Sequence, residues 1–164
     1  LDYLAAVVRR PDDPWDLDPD YQRDHVWTLE QRCRFVGYFL LVQRLPLVFL
    51  NYGDKRSPRE VCEVVDGKQR LTSLLMFTDG EIPAWLPGRE AQVLYWRDFD
   101  EVDRRCAPSV TCARVYLPTR EAVLRFYLNL NAGGTVHTAE EIAKERAMHE
   151  AEKARVAAGE VRRG

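Results

Sequence analysis

At 164 residues, with 46% apolar and 30% charged side chains, the chain has the length of one domain with a short appendage and the composition of a globular protein. Its 24 Lys and Arg against 26 Asp and Glu leave a formal net charge of -2, which excludes a uniformly basic DNA-coating protein but leaves room for a local basic patch. No apolar run approaches the roughly 18 residues of a membrane span, and LDYLAAVVRR lacks the basic start of a signal peptide, so the expectation is a cytoplasmic protein with no membrane partner.

In chain order, RRPDDPWDLDPDYQRD is rich in Pro and Asp and reads as extended, because the residue before each Pro is pushed out of the helical region. Thr28 and Gln31 then form a capping box, and Val36, Phe39, Leu40 and Gln43 recur at helical spacing, which predicts a helix from Leu29 to Arg44. Pro46 stops it. LVFL (47–50) and EVCEVV (60–65) read as strands on either side of a loop, NYGDKRSPR, paired as a long-looped hairpin or set in one mixed sheet. Leu71, Leu74, Leu75 and Thr78 share a face, predicting a helix over 68–77. DGEIPAWLPG reads as a turn-rich connection, QVLYW (92–96) and RVYL (114–117) as strands, and 98–113 gives no clear pattern. A helix follows Pro118 and Thr119 with Val123, Leu124 and Tyr127 inward, and NAGG ends it. Thr138 and Glu141 cap a charged helix to about Ala158 whose apolar face is thin. The expected class is α/β (α+β): a small mixed sheet with flanking helices and a C-terminal helix. The domain is placed at 1–142 and the charged helical tail at 143–164.

Three stretches carry the chemistry. VCEVVDGKQRLTSLLMF runs from a strand through Asp66-Gly67 into a helix, with Lys68, Gln69 and Arg70 at its start. A helix N-terminus presents amides without internal partners and the positive end of a dipole, which makes it an anion site. Gly67 lets a ligand approach the backbone; Lys68 and Arg70 add charge, and Arg70 can grip a phosphate with two parallel bonds. Asp66 can hold Mg²⁺ or accept a proton. The other reading is structural: Asp66 and Gln69 match a capping box, and Asp-Gly is a common turn. DPDYQRDHVW puts Gln22 and Arg23 in a lead-in between Tyr21 and Trp27, which read as core anchors. Its Asp cluster is either a solvated loop or an attractor of Mg²⁺. LNLNAGGTVHTAEE places Asn131, Gly134 and His137 where a loop can close over a ligand or merely connect two helices. Cys33, Cys62, Cys106 and Cys112 lack C-x-x-C spacing and read as free thiols, with a Cys106–Cys112 disulfide as the alternative.

Together and in this order, DPDYQRDHVW, RLPLVFL, CEVVDGKQRLTSLL and FYLNLNAGGTVHTAEE resemble the ParB/sulfiredoxin-like domain at the front of GmrSD-type restriction enzymes, over roughly Tyr3 to Ile142. The resemblance implies a compact α/β fold with a nucleotide site, in which an Asp-Gly-Gln-Gln-Arg motif serves NTP binding and hydrolysis. Here Lys68 occupies the third position of that motif, and Gln22 and Arg23 match the upstream Gln-Arg. The wider superfamily includes ATP-using sulfiredoxin, a free-serine kinase and CTP-binding ParB, and some relatives nick DNA. No His-Asn-His nuclease module follows in the sequence, so the expectation is the nucleotide-dependent half alone, in a short form like those of phages.

The expected catalytic residues are Asp66, Lys68 and Arg70. Nucleotide binding is assigned to Gln22, Arg23, Gly67, Lys68, Gln69, Arg70, Asn131 and Gly134, with ATP, GTP or CTP as ligand and Mg²⁺ on Asp66. The reaction would be hydrolysis or phosphoryl transfer. The rivals are a DNA-binding module using Lys55, Arg56, Arg59, Arg104, Arg105 and Arg114, DNA nicking with Asp66 and His25 near a metal, and a homodimer or partner-docking role for the tail helix.

Overall fold

The computed structural model describes residues 1–11, 15–22, 27–42, 48–54, 57–88 and 92–132, with 147, 150, 151 and 154 of the tail; for 54, 57–61 and 132 it describes the backbone only. The elements are α1 (Asp2–Val8), β1 (Trp15–Asp16), α2 (Leu29–Val42), β2 (Val48–Asp54), β3 (Ser57–Asp66), α3 (Lys68–Thr78), β4 (Ala84–Trp85), β5 (Val93–Leu94), a 3-10 turn (Trp96–Asp98), α4 (Glu101–Cys106), β6 (Cys112–Val115) and α5 (Arg120–Ala132). The four-stranded sheet has the order β1-β3-β2-β6, and β4 pairs with β5 in a small second sheet. β3 runs antiparallel to β2 and parallel to β1, and β6 runs parallel to β2, so the sheet is mixed, as expected.

Period-two alternation sorts the sheet's residues onto two faces. Val48, Leu50, Cys62 and Val64 are buried with Leu71 of α3 on one face. On the other, Val65 packs with Tyr21, Val123, Leu124 and Tyr127 beneath α5, as the inward positions of that helix predict. A third cluster joins α2, α3 and β4 around Val36, Phe39, Leu74, Phe77 and Trp96. Here α2 lies so close to β4 that a Cβ on Gly37 would stand 2.0 Å from the Trp85 carbonyl oxygen, so only glycine fits.

A polar network ties α5 to the sheet. Buried Asn51 accepts from the amides of Gly53 (3.0 Å) and Leu117 (2.9 Å) and donates to Glu63 (3.1 Å). Glu63 in turn accepts from Arg120 at 3.3 Å, and Arg120 also pairs with Asp20 of the acidic loop.

Several boundaries depart from expectation. The segment read as the loop NYGDKRSPR is mostly strand: β2 continues to Asp54 and β3 begins at Ser57, so the hairpin connection is short. The register shifts twice, between Phe49 and Leu50 and between Asn51 and Gly53, and such irregularity blurs the alternation that marks a strand. The opening residues form α1, the turn-rich DGEIPAWLPG contains β4, only Val93–Leu94 of QVLYW is strand, and the unclear 98–113 holds α4. All four cysteines are free. The tail helix expected over 138–158, with His137, lies outside the described residues apart from the four tail positions, which are helical and exposed. Among the described residues, no helix is long and apolar enough to cross a membrane.

Candidate functional site

The β3–α3 junction is built around Gly67. It is the N-cap of α3, with φ 105° and ψ 7°, and no side chain caps the helix there. The capping box read from Asp66 and Gln69 is therefore absent. Asp66 instead accepts from Arg70 one turn into the helix, at 2.6 Å. Gln69 reaches back to α2, where its Oε1 accepts from Arg32 at 3.3 Å and from the Trp27 amide at 3.5 Å. Both residues that would have sealed the helix end are directed elsewhere.

The two cations of the motif do not stand in bulk solvent. Lys68 is 5% exposed and forms an ion pair with Asp18 of the acidic loop. Arg70 is 19% exposed and held by Asp66. A carboxylate thus stands beside each of these two cations, and an incoming polyanion must compete with those carboxylates.

Gln22 fixes the lead-in. Its amide nitrogen donates to the Val64 carbonyl and, at 2.9 Å, to the Val65 carbonyl at the end of β3. That anchors the loop on the strand one residue before the motif. Tyr21, next to it, is buried, and desolvation with the nearby Glu63 charge pushes its phenol well above the usual tyrosine range.

These residues surround a cavity of about 300 Å³. Of the nine residues assigned to the site from sequence, Arg23 and Gly134 lie outside the described residues. The other seven, Gln22, Asp66, Gly67, Lys68, Gln69, Arg70 and Asn131, all line this one cavity. They come from the lead-in, the motif and the end of α5. Asn131 donates its amide to the Tyr127 carbonyl one turn earlier, at 2.8 Å.

Three wall residues were not assigned: Val65, Trp27 and Tyr127. Trp27 was expected as a core anchor, but it is half-buried and forms part of the wall, with its ring 5.2 Å from that of Phe35. Tyr127 is inward, as expected, and at the same time faces the cavity; its ring meets Tyr21 edge-on at 5.2 Å. Nothing in a single helix period separates a residue under the helix from one at the rim of a cavity.

Behind the wall stands Arg32, which is 7% exposed. It donates to the Trp27 carbonyl (3.3 Å), to Gln69 and, weakly, to the Met76 sulfur (3.8 Å). All of these acceptors are neutral, and among the described residues no carboxylate pairs with this buried guanidinium behind the cavity wall. Sequence reading missed it because position 32 looks like any polar residue on an amphipathic helix.

A family model for the N-terminal domain of the GmrSD restriction endonuclease matches residues 7–108. The chain belongs to this family. No curated protein and no solved structure matches it. In this GmrSD N-terminal domain the matched span holds the lead-in, the whole β3–α3 motif and Arg32, while Tyr127 and Asn131 come from the helix beyond it.

Among the described residues, no three His, Cys, Asp or Glu side chains gather as a metal site. Mg²⁺ needs no such cage: it commonly takes one or two carboxylates and completes its shell with phosphate oxygens and water. The Asp66 carboxylate, 39% exposed at the cavity, fits that modest demand. Of the residues named for the rival DNA surface, Lys55 and Arg56 and the Arg59 side chain lie outside the described residues, as does His25 of the nicking reading. Arg104, Arg105 and Arg114 line a different cavity.

Proposed function

We propose that this domain binds a nucleoside triphosphate with Mg²⁺ in the cavity at the β3–α3 turn, and hydrolyses it or passes its terminal phosphoryl group to an acceptor. The reading takes the domain as ParB/sulfiredoxin-like, with Asp66–Arg70 standing for the Asp-Gly-Gln-Gln-Arg motif. The observation that carries it is the convergence of seven expected residues from three chain segments on one concave surface. A volume near 300 Å³ is at the lower end for small-molecule sites.

The backbone of Gly67 and Lys68 would receive phosphate oxygens at the positive end of α3. Arg70 turns from Asp66 to the phosphate, and Lys68 offsets charge that develops on the transferring group, the main requirement of such chemistry. Asp66, released by Arg70, is left to hold the metal or to orient the nucleophile. Bound Mg²⁺ supplies charge neutralisation on the phosphates. Gln22 keeps the lead-in against the end of β3, and Arg23 is assigned a phosphate contact. Trp27 and Tyr127 offer aromatic surfaces for the base. The family match supports a restriction or anti-phage setting, with DNA as the downstream target.

The test is calorimetry with ATP, GTP and CTP in the presence of Mg²⁺, on the wild-type chain and on Arg70→Ala. One nucleotide should bind saturably. The variant should lose roughly 10–100-fold in affinity, the worth of a charge-assisted bond. Its unliganded melting temperature should change little, because the part-exposed Arg70–Asp66 pair adds at most about 1 kcal/mol. Equal affinity in both proteins would sink the assignment. Nicking by the same site is read in parallel from supercoiled plasmid with Mg²⁺ or Mn²⁺. Nicked circles without nucleotide consumption would transfer the site to that activity.

A further inference from the structure

A second cavity, of about 430 Å³, shares no lining residue with the first. It lies between α1, β1, β2 and the segment joining α4 to β6. Leu4, Trp15, Leu50 and Val110 give it an apolar floor. Arg104, Arg105 and Arg114 also line it, and none of its lining residues is acidic.

The three arginines differ in how their charge is met. Arg105 is exposed and pairs with Glu101 one turn earlier. Arg104 is half-buried, with its guanidinium 5.4 Å from the centre of the Trp96 ring, and donates to the Trp96 carbonyl at 3.2 Å. Its Nε is buried and has no hydrogen-bond partner among the described residues. Arg114 stands over the Tyr52 ring at 5.3 Å. Among the described residues, neither Arg104 nor Arg114 has a carboxylate partner. The first cavity is arranged differently, for there each motif cation is balanced by an aspartate.

We infer that this second cavity is a binding site for a small amphipathic organic anion, one with an aromatic or aliphatic body and a single carboxylate, sulfonate or phosphate group. The apolar floor would take the body, because transfer of apolar surface from water is favourable there. Arg104 and Arg114 would take the charged head, since neither is neutralised by a carboxylate among the described residues. A bare inorganic ion would leave the floor unused. A nucleic-acid strand would want a track of cations along its backbone. Here the cations ring one concavity, on a chain of net charge -2.

The probe is 8-anilinonaphthalene-1-sulfonate, an aromatic monoanion whose fluorescence rises when it leaves water. It is titrated against the full chain at neutral pH, where binding should saturate at one equivalent. Arg114→Gln, an exposed change expected to leave the fold intact by circular dichroism and melting, should weaken binding about tenfold or more. Arg104→Gln should weaken it at least as much. Decanoate and phenyl phosphate should displace the probe, and inorganic phosphate at the same concentration should not. Binding that does not saturate, or that is unchanged in a folded Arg114→Gln protein, overturns the proposal. So does displacement by a single-stranded oligonucleotide at lower concentration than by phenyl phosphate, which would assign the surface to nucleic acid. None of these readouts depends on nucleotide binding at the first cavity.

Discussion

Gly67 is the residue on which the geometry of the first cavity turns. With φ at 105° it occupies backbone space that side-chain-bearing residues rarely adopt, at a cost of about 1–3 kcal/mol. Space is also lacking: a Cβ there would stand 2.8 Å from Cγ2 of Val48, which is fully buried on β2. Gly67→Ala should therefore destabilise the domain by at least that 1–3 kcal/mol, read from denaturant unfolding. The two causes can be separated. Val48→Ala removes the methyls that collide with the new Cβ, so the double variant should lose less than the sum of the singles. Strict additivity would mean that backbone strain alone acts. The neighbours of Gly67 are ion-paired within the chain, Lys68 to Asp18 and Arg70 to Asp66. Asp18 is 50 positions from Lys68. Only the fold shows that an acidic loop, read from sequence as solvated or as an attractor of Mg²⁺, supplies the counter-charge of Lys68.

Elements were legible in proportion to how locally they are determined. α2 begins where its capping box placed it: the Thr28 amide donates to Gln31 (2.8 Å) and the Gln31 amide to Thr28 (3.2 Å), two bonds made between residues three apart. α3 and α5 likewise follow their apolar period. The far half of the β2–β3 hairpin did not read as strand, because Asn51, Gly53 and Pro58 are poor strand formers. Asn51 shows why one of them is there. Its side chain satisfies the amides of Gly53 and Leu117, which the bulged strand and the approach to α5 would otherwise leave bare. Replacing it with alanine should cost roughly 1–3 kcal/mol for the unsatisfied donors. It should also loosen α5, which carries Tyr127 and Asn131 into the first cavity. Hydrogen exchange is the discriminating measurement: Asn51→Ala should speed exchange in α5 more than in α2, and uniform acceleration would mean that Asn51 stabilises the domain without steering that helix. The convergence of seven site residues was legible because their chemistry is unusual for their positions. Trp27, Tyr127 and Arg32 were not, since aromatic and basic residues on amphipathic helices carry no local mark of what they face.

At the scale of the whole molecule, buried acids set how the fold responds to alkali. Burial pushes the thiols of Cys33 and Cys112 upward, and burial with the Glu63 charge raises the Tyr21 phenol much further. Each raised group contributes stability that is complete below its unfolded pKa and is lost as pH climbs toward its folded one, because the unfolded chain gives up the proton first. Unfolded cysteine releases its proton near pH 8.5 and tyrosine near 10, so stability should begin to fall above about pH 8.5 and fall more steeply above about pH 10. Each group adds up to about 1.4 kcal/mol per pH unit in that range. The steep part belongs to Tyr21, whose hydroxyl is buried beside Gln22 but makes no hydrogen bond of good geometry among the described residues. Tyr21→Phe keeps the ring that packs on Tyr127 and removes the titrating group. At pH 7 the variant should be as stable as the wild type or slightly more so, since an unpaired buried hydroxyl is removed. Melting curves of the two proteins should separate above pH 10, with Tyr21→Phe the higher. Parallel curves up to pH 11 would mean that the Tyr21 hydroxyl meets water in solution and that the face of the sheet under α5 is looser than its packing indicates.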